Sequence, residues 1–173
     1  MQVLIALYKR VHGVLDPLGD WVALLPIRLL MAYEFAKAGL GKLGASDALY
    51  GDVPKWFAGS ADGFPFPISL LSVEFNWFMV TWVEILGGFA LLFGLFTRFW
   101  AFSLLVVSLV AIFGVHWPDN WDSLAELWKG YAITDKGFGN FRVPLLFVAM
   151  LFPLIFLGPG KASIDSILAK KYL

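Results

Sequence analysis

The sequence contains no cysteine among its 173 residues. That one absence removes disulfides, thiolate nucleophiles, iron–sulfur ligation and cysteine zinc sites. Histidine occurs only at His12 and His116, so neither haem nor an iron–sulfur cluster is expected. Charge is scarce too, at 15% of residues, and 13 basic side chains face 13 acidic ones. No basic surface for nucleic acid follows from that balance. Phosphate loops, nucleophile motifs and carboxylate metal clusters are missing; Gly137-Phe138-Gly139 and Gly158-Pro159-Gly160 read as turns. The apolar run 3–7 is short and is interrupted by Tyr8-Lys9-Arg10, so no cleavable signal is expected and the chain is read from Met1.

What is present is apolar. Hydrophobic residues make up 60% of the chain and aromatics 17%, with a mean hydropathy of +0.76. A soluble domain is nearer half apolar and one quarter charged, so this is membrane composition. Four stretches approach the ~20 residues that a helix needs to cross a bilayer, at about 21–43, 75–96, 99–117 and 142–158. The expected fold is a single all-α integral membrane domain over 1–173, a bundle of four transmembrane helices. Amphipathic helices flank it. The first, over 1–20, sets Val3, Leu4, Leu7, Val11, Val14 and Leu15 on one face and is expected to stop at Asp16-Pro17 and Gly19. The last follows Ser163 as N-cap, with Lys170 and Lys171 at its C-terminal end.

Thr97-Arg98 is expected to turn the second span tightly into the third, making the two antiparallel neighbours. Two longer connections, 44–74 and 118–141, are polar and rich in turn residues. The first holds an aromatic, proline-punctuated piece too short to span, and its length suggests a functional cap. The second has a short amphipathic helix expected over 121–129, capped by Asp119 or Asn120. Four spans put both termini on one side, where Lys9, Arg10, Arg98, Lys161, Lys170 and Lys171 gather. The positive-inside rule then places the termini in the cytoplasm, in a bacterial inner membrane, with both long connections outside.

Charged residues fall inside the first two expected spans, and an isolated charge in hydrocarbon costs several kcal/mol. Glu34 and Glu84 reach similar depth because their spans run in opposite directions. Lys37 stands at i+3 from Glu34, a spacing that allows an ion pair. Arg28 lies nearer the cytoplasmic side, and Lys42 near the outer boundary; both are expected to snorkel. The Glu34, Lys37 and Glu84 cluster has two readings: an ion pair that fixes helix register, or a polar pocket or proton relay for a quinone-like or peptide headgroup. Gly87-Gly88, one turn past Glu84, allows a neighbouring backbone to approach.

His116 ends the third span beside Trp117, as a hydrogen-bonded belt residue or a ligand. Met31, Met79 and Met150 occupy three spans; with His116 they would offer soft donors to Cu(I), although gap-filling in the core is the commoner role of such methionines. Most tryptophans flank spans as an aromatic belt, whereas Trp82 lies inside one. A transporter built from four spans would need to form a homo-oligomer, and no inverted repeat is visible.

Three segments, RLLMAYEFAKAGLGK (28–42), WVEILGGFALLFGLFTR (82–98) and GPGKASID (158–165), together resemble DoxX-like membrane proteins. The resemblance covers nearly the whole chain. The run VHWPDNWDSLAELWKGYAITDKGFGNFRVPLL (115–146), with FPFP at 64–67, is similar to a narrower HvfX-like branch. That branch implies an accessory role in maturation, handling or export of a copper-binding, ribosomally made peptide. Soluble modification enzymes or the peptide itself would then be partners. The wider family includes membrane subunits of thiosulfate:quinone oxidoreductases, which implies quinone as a cofactor. A third possibility is a membrane scaffold whose ion pair is structural. Glu34, Lys37 and Glu84 lie within matching segments, and no catalytic group is carried over.

Overall fold

The computed structural model describes residues 1–46, 53–118, 122–129 and 140–172. The described residues are helical throughout, with no strand among them. Helix α1 spans Gln2–Val22 and α2 Leu25–Ala45. A capping segment follows, made of the single turn α3 (Lys55–Ala58) and the 3-10 turns Ala61–Gly63 and Ile68–Leu70. Helix α4 covers Val73–Phe93 and α5 Thr97–Ala111; α5 runs on into a π-helical turn, Ile112–His116. The short α6 (Leu124–Leu127), then α7 (Arg142–Phe156) and α8 (Ile164–Tyr172), complete the chain.

Local chemistry sets these boundaries. Ser72 starts α4 by accepting the amide of Phe75 at 3.2 Å. Gly94, at φ 64°, ends it in the left-handed conformation, and the amide of Leu95 reaches back to the carbonyl of Ala90 at 2.9 Å. A Cβ at Gly94 would also lie 2.5 Å from that of Ser163, so the position needs glycine twice over. The turn between α4 and α5 therefore occupies Gly94 to Phe96, and Thr97 is already helical. Ser163 caps α8 by accepting the amide of Ser166 at 3.1 Å. Ser123 caps α6 by accepting the amide of Glu126 at 3.3 Å. Asp119 and Asn120, the caps expected there, lie outside the described residues. Helix α1 does not stop at Asp16-Pro17: it continues through Pro17 and gives up the one bond that an amide there would make to Gly13.

The expectation of four spans is met in part. Among the described residues, two helices are long and apolar enough to cross a membrane, Val73–Phe93 and Thr97–His116. Helix α7 is apolar but has 15 residues. Helix α2 has 21 but carries Arg28, Glu34, Lys37 and Lys42. These four helices share one core, with Met31, Phe35, Leu91, Leu104, Leu151 and Leu154 at its centre. A smaller aromatic cluster of Phe57, Phe64 and Trp77 joins the capping segment to α4.

Helices α2 and α4 approach through glycine. A Cβ on Gly88 would stand 2.6 Å from the backbone nitrogen of Ala36, and one on Gly39 would stand 2.8 Å from that of Ile85. Gly87 takes the side chain of Leu104 from α5 in the same way, at 3.0 Å. These contacts fix an antiparallel register in which Ala36 faces Gly88 and Gly39 faces Ile85.

The end of the bundle that holds the α4–α5 turn is closed by the tail. Asp165 accepts the amides of Phe96 and Thr97, each at 2.8 Å, and its own amide bonds the carbonyl of Gly94 at 2.9 Å. A carboxylate on the first amides of α5 matches both the open donors and the helix dipole. Arg28 reaches the same knot. Its guanidinium donates to the carbonyls of Pro159 and Ala162 at 2.8 and 2.7 Å and is 3% exposed. The expected snorkelling of Arg28 is thus replaced by burial against carbonyls that the returning chain supplies. Lys161 meets Asp20 at 2.6 Å and ties α1 to this end.

Three stability outcomes follow. Gly88→Ala should cost about 1–3 kcal/mol by overpacking against backbone that cannot yield. Gly41→Ala, with nothing within 4 Å, should be neutral or slightly stabilising in thermal unfolding of the purified protein. Asp165→Ala should cost roughly 1–2 kcal/mol in the same assay, because it uncaps two amides at once.

Candidate functional site

Helices α2, α4, α5 and α7 diverge toward the capping segment and leave a cavity of about 720 Å³ between them. Its wall is largely apolar, with Phe35, Val80, Val83, Val107 and Phe147 among its residues. Phe99 and His116 both line it and stand at opposite ends of α5, so at helical rise it is roughly 25 Å long. The space is a slot.

Polar groups line the α2 side of the cavity and its capped end. Glu34, Ala38 and Lys42, spaced i, i+4, i+8 on α2, share the face that lines the cavity. The Lys42 ammonium donates to the Glu84 carboxylate at 2.6 Å, with side chains 18% and 8% exposed. Removing two charges from water is expensive, and this contact offsets the cost through a short charge-assisted bond. The α2–α4 register makes the contact possible: Gly39 opposite Ile85 puts Lys42 within reach of Glu84. Lys42 therefore turns inward to an ion pair instead of snorkelling outward.

His116 faces the same space. The π-helical turn sets its ring against the Asn140 side chain, Nδ1 to Oδ1, and the amide of Asn140 bonds the carbonyl of His116 at 3.1 Å. π-Helical turns are rare and occur frequently at functional sites. Gly114, within that turn, makes room for Phe64: a Cβ there would meet the ring at 2.3 Å. The capping segment is thus seated directly on the turn that presents His116. Phe57 stacks edge-on against Trp77 at 4.9 Å and lies 5.4 Å from Phe64, forming an aromatic lid. Asn76 holds the lid's far end by donating to the carbonyl of Ile68 at 3.2 Å.

The other expected site residues are placed differently. Lys37 makes no ion pair with Glu34; it is exposed and lies over the Tyr33 ring at 5.4 Å. Its position on α2 faces away from Lys42, so the expected trio of Glu34, Lys37 and Glu84 becomes Glu34, Lys42 and Glu84. Trp82 packs near Phe78 at 6.5 Å and does not line the cavity; its indole nitrogen is buried with no hydrogen-bond partner among the described residues. Met31 and Met150 belong to the core, whereas Met79 lines the cavity with His116. The four soft donors do not converge, so they do not fit a copper site. Among the described residues, no three His, Asp or Glu side chains form a metal-holding group. Lys42 and Asn140 were missed as site residues, and the i, i+4, i+8 run from Glu34 is the signal that finds Lys42.

The Lys42–Glu84 contact carries a sharp expectation. Lys42→Met leaves a buried carboxylate without its cation and should cost about 3 kcal/mol in thermal unfolding, largely recovered by adding Glu84→Gln. Lys37→Met, at an exposed position, should cost less than about 1 kcal/mol.

The DoxX family profile matches residues 23–117, which hold Arg28, Glu34, Lys42, Glu84 and His116. An uncharacterized protein from Haemophilus influenzae is 36% identical over 155 residues, covering 90% of this chain and 89% of its own length. No solved structure matches. With more than half of its length inside the family profile and a relative matched almost end to end, this chain belongs to the DoxX family of membrane proteins.

Proposed function

We propose that this DoxX protein is a four-span inner-membrane subunit that holds a quinone ring in the cavity between α2, α4, α5 and α7, in the service of a soluble oxidoreductase partner. The observation that carries this reading is the cavity's lining: Lys42, Glu84, His116 and Asn140 gather toward its capped end, on a wall that is largely apolar apart from Glu34 further along α2. A flat ring with carbonyl oxygens suits that division. Bound there, quinone would supply a carrier of two electrons and two protons. The protein's own groups bind and orient it. Lys42 and His116 present N–H donors toward the ring's oxygens, Glu84 holds Lys42 in place and provides a carboxylate at the same spot, and the aromatic lid excludes water.

The membrane arrangement belongs to the same proposal. Helices α2 and α7 complete the four spans beside α4 and α5. Asp165 on the α4–α5 turn and Lys161 on Asp20 bring α1, α8 and that turn to one end of the bundle. Lys9, Arg10, Arg98, Lys161, Lys170 and Lys171 then share a side, which supports cytoplasmic termini by the positive-inside rule.

The accessory role in maturation, handling or export of a copper-binding peptide rests on the HvfX-like resemblance alone. Such a peptide, or a modification enzyme, would meet the protein at the aromatic lid.

The test is retention of quinone by the protein purified gently into lipid discs. Wild type should keep close to one quinone per chain. His116→Leu, and the charge-neutral pair Lys42→Met with Glu84→Gln, should each lower retention at least fivefold while the protein stays folded. Absence of quinone from wild type would sink the redox reading. A peptide complex recovered from quinone-free discs would then establish the accessory role, and variants that altered stability alone would leave a scaffold.

A further inference from the structure

The cavity is partly lidded at its polar end, where Trp56 lines it at 56% exposure, and opens along one side of α5. At the polar end the lid residues Phe57 and Phe64 stand over it, and the Asn140 amide pins the neighbouring chain to His116. Toward the opposite end the wall changes character. Phe99, Phe102 and Val106 of α5 line the cavity, yet they are 63%, 56% and 37% exposed. Met79 of α4, about one turn nearer the cap than Glu84, also lines the cavity at 42% exposure. Residues that face a cavity and the outside together mark a side opening, and here each of them is apolar. The hydroxyls of Ser103 and Ser108 do not alter this, because they donate to the carbonyls of Phe99 and Leu104 at 3.0 and 2.8 Å within their own helix.

We infer that the cavity's occupant is a quinone bearing a long hydrocarbon chain, and that the chain leaves the ring site sideways into the bilayer along α5, past Val106, Phe102 and Phe99. The inference rests on the quinone reading and adds to it the ligand's direction, its route of entry and a requirement for the chain. The exposed apolar wall sets the direction: Phe99, Phe102 and Val106 offer a route along α5 to the outside, while Lys42, Glu84, His116 and Asn140 suit the ring, and Glu34 lies two turns back along α2 from Lys42. The length agrees as well, because the lining from His116 to Phe99 runs roughly 25 Å, room for a ring and part of its chain. With hydrocarbon at the α5 mouth, a ligand dissolved in the bilayer enters without crossing an aqueous phase.

Two probes and two variants test this in lipid discs: a benzoquinone without a chain and the same ring with a decyl chain, each titrated by equilibrium binding. The native protein should bind the decyl compound at least tenfold more tightly than the bare ring, after correction for its partition into lipid. Val106→Trp fills the slot midway and should remove most of that advantage while leaving the bare ring within about twofold. Leu109→Trp is the control. Leu109 has the same 37% exposure on the same helix but does not line the cavity, so both affinities should be unchanged. Equal binding of the two probes by native protein, or equal loss of both in Val106→Trp, overturns the side exit while keeping a ring site. Binding of neither probe overturns the inference together with the reading beneath it.

Discussion

The close approach of α2 and α4 is the constraint from which the site follows. Gly39 and Gly88 let two helix backbones meet where any side chain would hold them apart. The contact fixes register, and register decides that Glu84 lies within reach of Lys42. Without hydrocarbon-excluded water between them, small residues are how membrane helices obtain tight packing. Separation of the helices by the width of a methyl group would leave two charges stranded in an apolar wall. The polar end of the cavity is thus a consequence of helix packing as much as of the charged residues themselves.

Much of this was legible in the sequence. A carboxylate in the middle of an apolar run, followed by two glycines, marks Glu84 as packed against protein, and it is. The apolar stretches locate the long helices to within a few residues, because composition and length dominate there. The partner of Glu84 was not legible. Lys37 has the favourable i+3 spacing to Glu34, but spacing within one helix says nothing about which face meets a neighbour. Only the glycine contact settles that, in favour of Lys42. Arg28 escaped for a related reason: its carbonyl partners lie 131 and 134 residues along the chain. No local pattern announces acceptors at that distance.

The segments that carry the family resemblance converge in space. Arg28 opens the first, Gly94 and Thr97 lie in the second, and Pro159, Ala162 and Asp165 in the third; all meet at one end of the bundle. Opposite them, the π-helical turn and the aromatic lid shape the cavity. The molecule divides its labour along its axis, with structural closure at one end and a chemically equipped slot toward the other.

The closing contact also sets an order of events. Asp165 caps the first amides of α5 from a position 68 residues later in the chain. At ~5–20 residues per second of synthesis, α5 waits roughly 3–14 s for its cap. Throughout that interval the guanidinium of Arg28 also lacks its carbonyls. The segment around Asp165 is therefore made after every wall of the cavity, so until it arrives the chain carries the cavity yet remains unlatched at its base.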